Sequence, residues 1–327
     1  MKESDIRNNY ILQKYQKLVD KDVQNFFSSK KNFKKINYKS WGCKKVKKIF
    51  KKKNFDYFQC VYTKTIFANP RPKPELLEKF YSNTKSSNYW LNKFFLPKLQ
   101  NRKNKVVKPQ VEFFSKNFSK YKKKKILDIG AGLGLFLLEL KKKWPKANLF
   151  ALEPSKLMAD KCRSNNIDVY ETTIEKMDTA KKNFDAITCF ELFEHIYDPK
   201  LFLKKIYNLL NKNGIFYFTT LNGLGFDIQM LGKNSNSIYP PYHINFFNPK
   251  SIELLLRKIG FSVLSIETPG KLDLSIVENN LSLLAGAKKN FFEKFIINET
   301  TLYKNKFQKY LQENKLSSHM RIVVRKK

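Results

Sequence analysis

The chain has 327 residues, 42% of them hydrophobic, which is enough for one α/β domain with a real core plus an accessory region. The opening MKESDIRNNY does not read as a secretory leader, and the longest apolar stretch, Ile126 to Leu140, is broken by Asp128 and three glycines, so a soluble, cytoplasmic protein with reduced cysteines is expected. The net charge of +36 invites a polyanion partner, but only seven of the 64 basic residues are Arg, the side chain suited to bidentate phosphate contacts, and abundant Lys, Asn, Phe and Ile together match A- and T-rich codons.

In chain order, residues 1–120 are more polar, lack regular alternation, and read as a separate accessory region. From about Lys122 to Ile266, short apolar runs alternate with helical patterns, which predicts parallel βαβ units and a doubly wound α/β sheet in a domain spanning 121–327. The predicted strands are Ile126–Ile129, Leu149–Leu152, a short one near Val169, Phe184–Cys189, Ile215–Thr220, Phe261–Ile266 and Met320–Val324. The first helix of this domain runs from near Leu133 to Trp144. Later helix starts are marked by Ser155, Asp198-Pro199 and Asn248-Pro249. Lys212-Asn213-Gly214 turns the chain into the fifth strand, and Gly260 closes the helix before the sixth. A lysine-rich helical stretch, about 272–314, reads as an insertion.

The turn after the first strand carries Gly130, Ala131, Gly132 and Gly134, which lets backbone amides and a helix N-terminus approach a ligand. A glycine turn alone is a weak indication. Asp128 sharpens it, because a carboxylate there would repel a pyrophosphate and attract an ammonium group. Glu153, at the end of the second strand, is placed to accept hydrogen bonds from ribose hydroxyls.

The segment Lys125 to Phe136 resembles the cofactor loop of class I methyltransferases. Phe184-Asp185 through Phe190, Glu191, Glu194, His195, Asp198 and Pro199 resembles the pattern F-D-x-I-x-x-x-E-x-x-E-H-x-x-D-P of relatives of the ubiquinone O-methyltransferases. Leu209, Leu210 and Gly214, and His243 to Phe247 with Gly260 and Phe261, are similar to later segments of the same family. The likeness covers roughly residues 55–327. It implies S-adenosyl-L-methionine as cofactor, a seven-stranded Rossmann-like methyltransferase sheet, and a cofactor site lined by Asp128, Gly130, Ala131, Gly132, Glu153, Phe190 and Glu191, with Thr173 near the adenine.

Upstream, Pro70-Arg71-Pro72 followed by Phe80 and Tyr81 resembles the segment that follows the zinc ribbon of sugar C-methyltransferases. The ribbon's four ligand positions fall on Ser40, Cys43, Cys60 and Thr63, so a degenerate ribbon over about 37–67 without metal is expected, followed by lid helices over about 74–120. Two unrelated buried cysteines are the alternative. Tyr81, Tyr89 and Trp90 read either as an aromatic lid over a sulfonium or as an ordinary helix face packed on the core.

For catalysis, His243 is the preferred general base; His195 serves the site or caps the next helix, and His319 reads as structural. Glu194 reads equally as a contact of the site or a solvated helix-entry residue. Tyr239-Pro240-Pro241-Tyr242 lacks the first residue and the place of an amino-methylating motif, which argues against DNA adenine as substrate. The expected function is methyl transfer to a small-molecule acceptor, foremost a nucleotide-linked sugar or cell-surface glycan precursor. A quinone or lipid O-methyltransferase, an RNA methyltransferase and a non-catalytic cofactor-binding relative are the alternatives. Nucleic acid or an anionic membrane surface is not the favoured partner, and a homodimer is left open.

Overall fold

Strands that are covered on both sides need apolar residues at nearly every position, and the runs between Ile126 and Val324 have that form. The computed structural model describes residues 9–180 and 183–327; the opening segment read for a leader, with Arg7, lies largely outside them. After a helix at Asn9–Phe27, the accessory region forms β1 (Phe33–Lys34), β2 (Val46–Lys52), β3 (Phe55–Cys60), β4 (Ile66–Ala68) and β5 (Arg71–Pro72). Helices at Pro74–Asn83, Lys85–Tyr89 and Lys108–Asn117, with wider π-type turns between the last two, lead into the second half.

That half contributes β6 (Lys125–Ile129), β7 (Asn148–Leu152), β8 (Asp168–Tyr170), β9 (Phe184–Phe190), β10 (Leu210–Leu221), β11 (Asn245–Phe246), β12 (Phe261–Glu267) and β13 (His319–Lys326). Seven of these form one sheet in the order β12-β13-β10-β9-β6-β7-β8. The pairs from β10 to β8 are parallel, and β13 runs antiparallel to both its neighbours. Leu127, Ile187, Phe216, Phe218 and Ile322 pack into the core on one face, whereas Ile126, Ala186, Ile215, Tyr217 and Val323 pack on the other. Period-two alternation thus feeds two helix layers.

The predicted strand positions agree with this sheet, with differences at their ends. β10 starts at Leu210 because that residue already pairs with Phe184; Lys212 to Gly214 then form a bulge, with Asn213 at φ +62°. Asp198 accepts from the amides of Lys200 and Leu201, and Asn248 forms a capping box with Ser251. Ser155 occupies its predicted cap position, but its side chain makes no cap bond. The stretch 272–314 divides into helical pieces, the longest being Thr301–Glu313.

The accessory region and the seven-stranded half share structure. A four-stranded sheet in the order β11-β4-β3-β2 takes β11 from the second half. Phe27, Phe55, Ile66 and Phe80 lie in one apolar cluster with Ile228, Ile238, Ile244 and Phe246. This shared core brings the loop before β11, which carries His243, onto the strands β2 to β4. Among the described residues, no helix is long and apolar enough to cross a membrane.

Candidate active site

The loop after β6 depends on glycine at Gly130, Gly132 and Gly134, all at positive φ. Gly130 has φ +69°, and a Cβ there would lie 2.9 Å from Leu192 Cδ2. Gly132 has φ +56°, and the nearest atom a Cβ would meet is Met158 Sδ at 4.0 Å, so this turn borders open space. The Gly132 amide donates to Glu153 Oε2 at 2.8 Å and the Ser155 amide to Oε1 at 2.9 Å, which orients the carboxylate. Ser155 therefore acts through its backbone where a side-chain cap was expected.

Asp128 is buried and accepts a 2.7 Å hydrogen bond from Thr188 Oγ1. Burial pushes its carboxyl up to about 7; the Thr188 bond opposes this and the charge of Glu153 adds to it. Burial likewise raises Glu153, against its two amide donors. Two desolvated carboxyls at neighbouring strand ends gain from a cation and repel a phosphate. That chemistry fits a donor bearing an ammonium and a sulfonium, with Glu153 facing hydroxyls, and does not fit a dinucleotide. Phe190 packs beside this loop, its ring 4.7 Å from Phe136 and 5.2 Å from Tyr217. The Ala131 amide points to the Leu152 carbonyl at 3.4 Å. Thr173 begins the turn after β8, its carbonyl accepting from Lys176 and Met177.

A second group gathers at the end of β9. Glu191 sits at φ +51°, an uncommon conformation for a side chain with a Cβ, and accepts from Thr219 Oγ1 at 2.7 Å. Its other neighbour is His319 Nδ1 at 3.4 Å. Glu194 is buried and accepts from Thr220 Oγ1 at 2.9 Å. Burial first, and the charge of Glu191 second, push the Glu194 carboxyl up from its ordinary range. It is no solvated helix-entry residue.

His195 and His243 come together with ring centroids 4.9 Å apart. Burial, with His243 as the next cause, pushes His195 well below its usual range and keeps it neutral. His243 Nδ1 lies 2.7 Å from the Ser237 carbonyl. A carbonyl can only accept, so Nδ1 carries the proton and Nε2 the lone pair. This tautomer suits a base. One ligand atom from each of Glu194, His195 and His243 also lies within 4.8 Å of the others, close enough to hold a divalent cation, although the sequence reading assigned no metal ligand.

The sequence reading missed the partners Thr188, Thr219, Thr220 and the Ser237 carbonyl, and it read His319, whose Nδ1 lies 3.4 Å from Glu191, as structural. Only the three threonines had a sequence cue, lying at or near the carboxyl ends of predicted strands. At the expected ribbon positions, Cys43 and Cys60 are buried neighbours, and the Thr63 amide points to Cys60 Sγ at 3.5 Å. Burial pushes the Cys43 thiol up to about 12. Ser40 is half-buried and donates to the Asn37 carbonyl, and Thr63 Oγ1 pairs with Thr65 Oγ1. The aromatic lid takes its packed form: Tyr81 stacks on Tyr242, and Tyr89 and Trp90 pack on the N-terminal core. Leucines 91, 96 and 99 border a groove with Leu133 and Leu157 instead.

A family model described as "Methyltransferase domain" matches residues 99–266, just over half of the chain. The ubiquinone biosynthesis O-methyltransferase of Histophilus somni is 30% identical over 160 residues, 46% of this chain and 64% of that protein. That of Pelagibacter ubique is 26% identical over 192 residues, 53% of this chain and 75% of that protein. The chain thus spans just under two thirds of the length of the first of these relatives. The plantazolicin methyltransferase BpumL in complex with SAH is 18% identical, with TM-score 0.45, covering 72% of this chain and 92% of that one. The domain match falls on the stretch that holds the glycine loop, Asp128, Glu153 and the end of β9, and the chain belongs to the S-adenosylmethionine-dependent methyltransferase family.

Proposed function

We propose that this chain transfers a methyl group to a weakly acidic oxygen or carbon of a small molecule, with His243 as the base. The carrying observation is the His195–His243 pair, whose Ser237 contact sets the tautomer needed to take a proton at Nε2. When bound, S-adenosylmethionine supplies an electrophilic methyl on a sulfonium.

The chain's own residues have three tasks. Asp128 and Glu153 hold the positive and hydroxyl-bearing parts of the donor at the ends of β6 and β7. Gly132 keeps the turn free of a side chain where the donor enters. His243 Nε2 receives the acceptor's proton as the nucleophile forms, while neutral His195 beside it adds no competing charge. Most of the acceleration in such an in-line displacement comes from alignment, with the base adding roughly 10²–10⁴-fold.

Support for a nucleotide-linked sugar or another glycan precursor as acceptor lies in the ribbon and the Pro70-Arg71-Pro72 segment that join His243 to the N-terminal region. Support for a second reading, the phenolic oxygen of a quinone precursor, lies in the names of the curated relatives. Purified protein offered S-adenosylmethionine with a panel of nucleotide sugars and quinone precursors should release S-adenosylhomocysteine with a sugar. Release with a quinone precursor alone would move the assignment to the second reading. His243→Gln should lose about 10²-fold or more in kcat with donor affinity unchanged. Activity lost to a chelator and restored by a divalent cation would reassign Glu194, His195 and His243 to holding that cation.

A further inference from the structure

Arg71 is fully buried, and its guanidinium has no exposed edge through which to meet a ligand. Its five hydrogen bonds end on neutral oxygens of three separate segments. Nε and Nη2 donate to the Ala68 carbonyl at 3.1 and 3.0 Å. Nη1 donates to the Tyr197 carbonyl at 2.9 Å. Nη2 also reaches the Ile244 carbonyl at 3.3 Å and Asn245 Oδ1 at 3.1 Å. The rings of Trp41 and Tyr197 lie 5.7 and 5.9 Å from Cζ. Burying a guanidinium is costly, so a site that satisfies it with backbone carbonyls has a use for its fork shape.

The segments it joins are those that carry the two histidines. Tyr197 lies two residues after His195, and Ile244 directly follows His243. Three further bonds complete the junction: the Ile244 amide to the Glu194 carbonyl at 3.0 Å, Asn245 Nδ2 to the Ile196 carbonyl at 2.6 Å, and Tyr57 Oη to the His243 carbonyl at 2.8 Å. We propose that Arg71 is a positioning residue that holds the loops bearing His195 and His243 at their working separation, from a point that touches neither imidazole. The inference rests on the reading of that pair as the acceptor site. Lysine keeps the charge but lacks the planar fork needed to reach Ala68, Tyr197 and Asn245 together.

The test uses the full chain with Arg71→Lys. The chain contains only three histidines, so imidazole nitrogen NMR on histidine-labelled protein resolves each, with His319, which lies 3.4 Å from Glu191 but against none of the segments that Arg71 holds, as the reference. The proposal expects the His195 and His243 resonances to move and those of His319 to stay. It also expects donor affinity to be retained and kcat to fall by on the order of 10²-fold with little change in KM. Unchanged resonances for all three histidines, or a loss of activity that only follows a loss of donor binding, would overturn it. The NMR readout needs no acceptor, so disturbed His195 and His243 signals in a protein with no turnover on any acceptor would uphold the positioning role and refute the functional reading instead. Should Arg71→Lys fail to fold, Asn245→Ala carries the same expectations, because it removes one of the three acceptors of Nη2 and the donor to Ile196.

Discussion

The charge state of Asp128 governs what the glycine loop can hold. Burial pushes its carboxyl up to about 7, which brings its titration to neutral pH. A cationic donor favours the ionised form, so donor affinity should rise with pH through about 7 and level off above it. Asp128→Asn should bind more weakly and lose that dependence, which calorimetric titration at several pH values would show. The stability sign is opposite. A carboxyl raised on folding contributes stability that is present below its unfolded value and lost as pH rises through about 7, so Asp128→Asn should stabilise the ligand-free protein at pH 8. Asp128, Glu153 and the glycines were legible in the sequence because a strand, a turn and two acids fall at fixed offsets. The pairing of His195 with His243 was not, because it depends on β11 joining the ribbon sheet, a contact between segments distant in sequence.

Helices and strands were legible where a local rule sets their ends. Asp198 and Asn248 each cap a helix through bonds to amides two or three residues on. Asn248 does more than a cap requires, since its Nδ2 donates to the Thr63 carbonyl at 2.7 Å and so ties the helix Pro249–Ile259 to the ribbon. Asn248→Ala should therefore destabilise the protein by at least the ~1 kcal/mol of a lost cap, measured by denaturant unfolding. A cost well below that would mean that the tie to Thr63 carries nothing. Local rules failed where a side chain was expected to do what the backbone does: Ser155 serves Glu153 through its amide. For Tyr81 the packed of the two readings holds, but its stacking partner Tyr242, in another part of the chain, had no local cue.

At the level of the whole molecule, part of the basic charge has a structural use. β2 is the edge strand of the four-stranded sheet, and the exposed Lys47, Lys48 and Lys51 lie along it, where charge discourages pairing with another chain. The doubly wound sheet was legible as a whole because its strands are buried on both faces and appear as apolar runs. The union of the accessory region with the second half was not, since it rests on scattered residues such as Phe27, Phe55 and Ile244 that show no period. The joint architecture sets Asp128 and Glu153 at the ends of β6 and β7 and His195 after β9 of one sheet, and brings His243 to His195 from the loop before β11 of the other. The most direct measurement of that account is to incubate the protein with cell extract and S-adenosylmethionine carrying an isotopically labelled methyl group, and to follow the label by mass spectrometry. The account predicts label in a small-molecule fraction with the native chain and its loss with Glu153→Gln. Label that enters RNA, or that appears equally with Glu153→Gln, would contradict it.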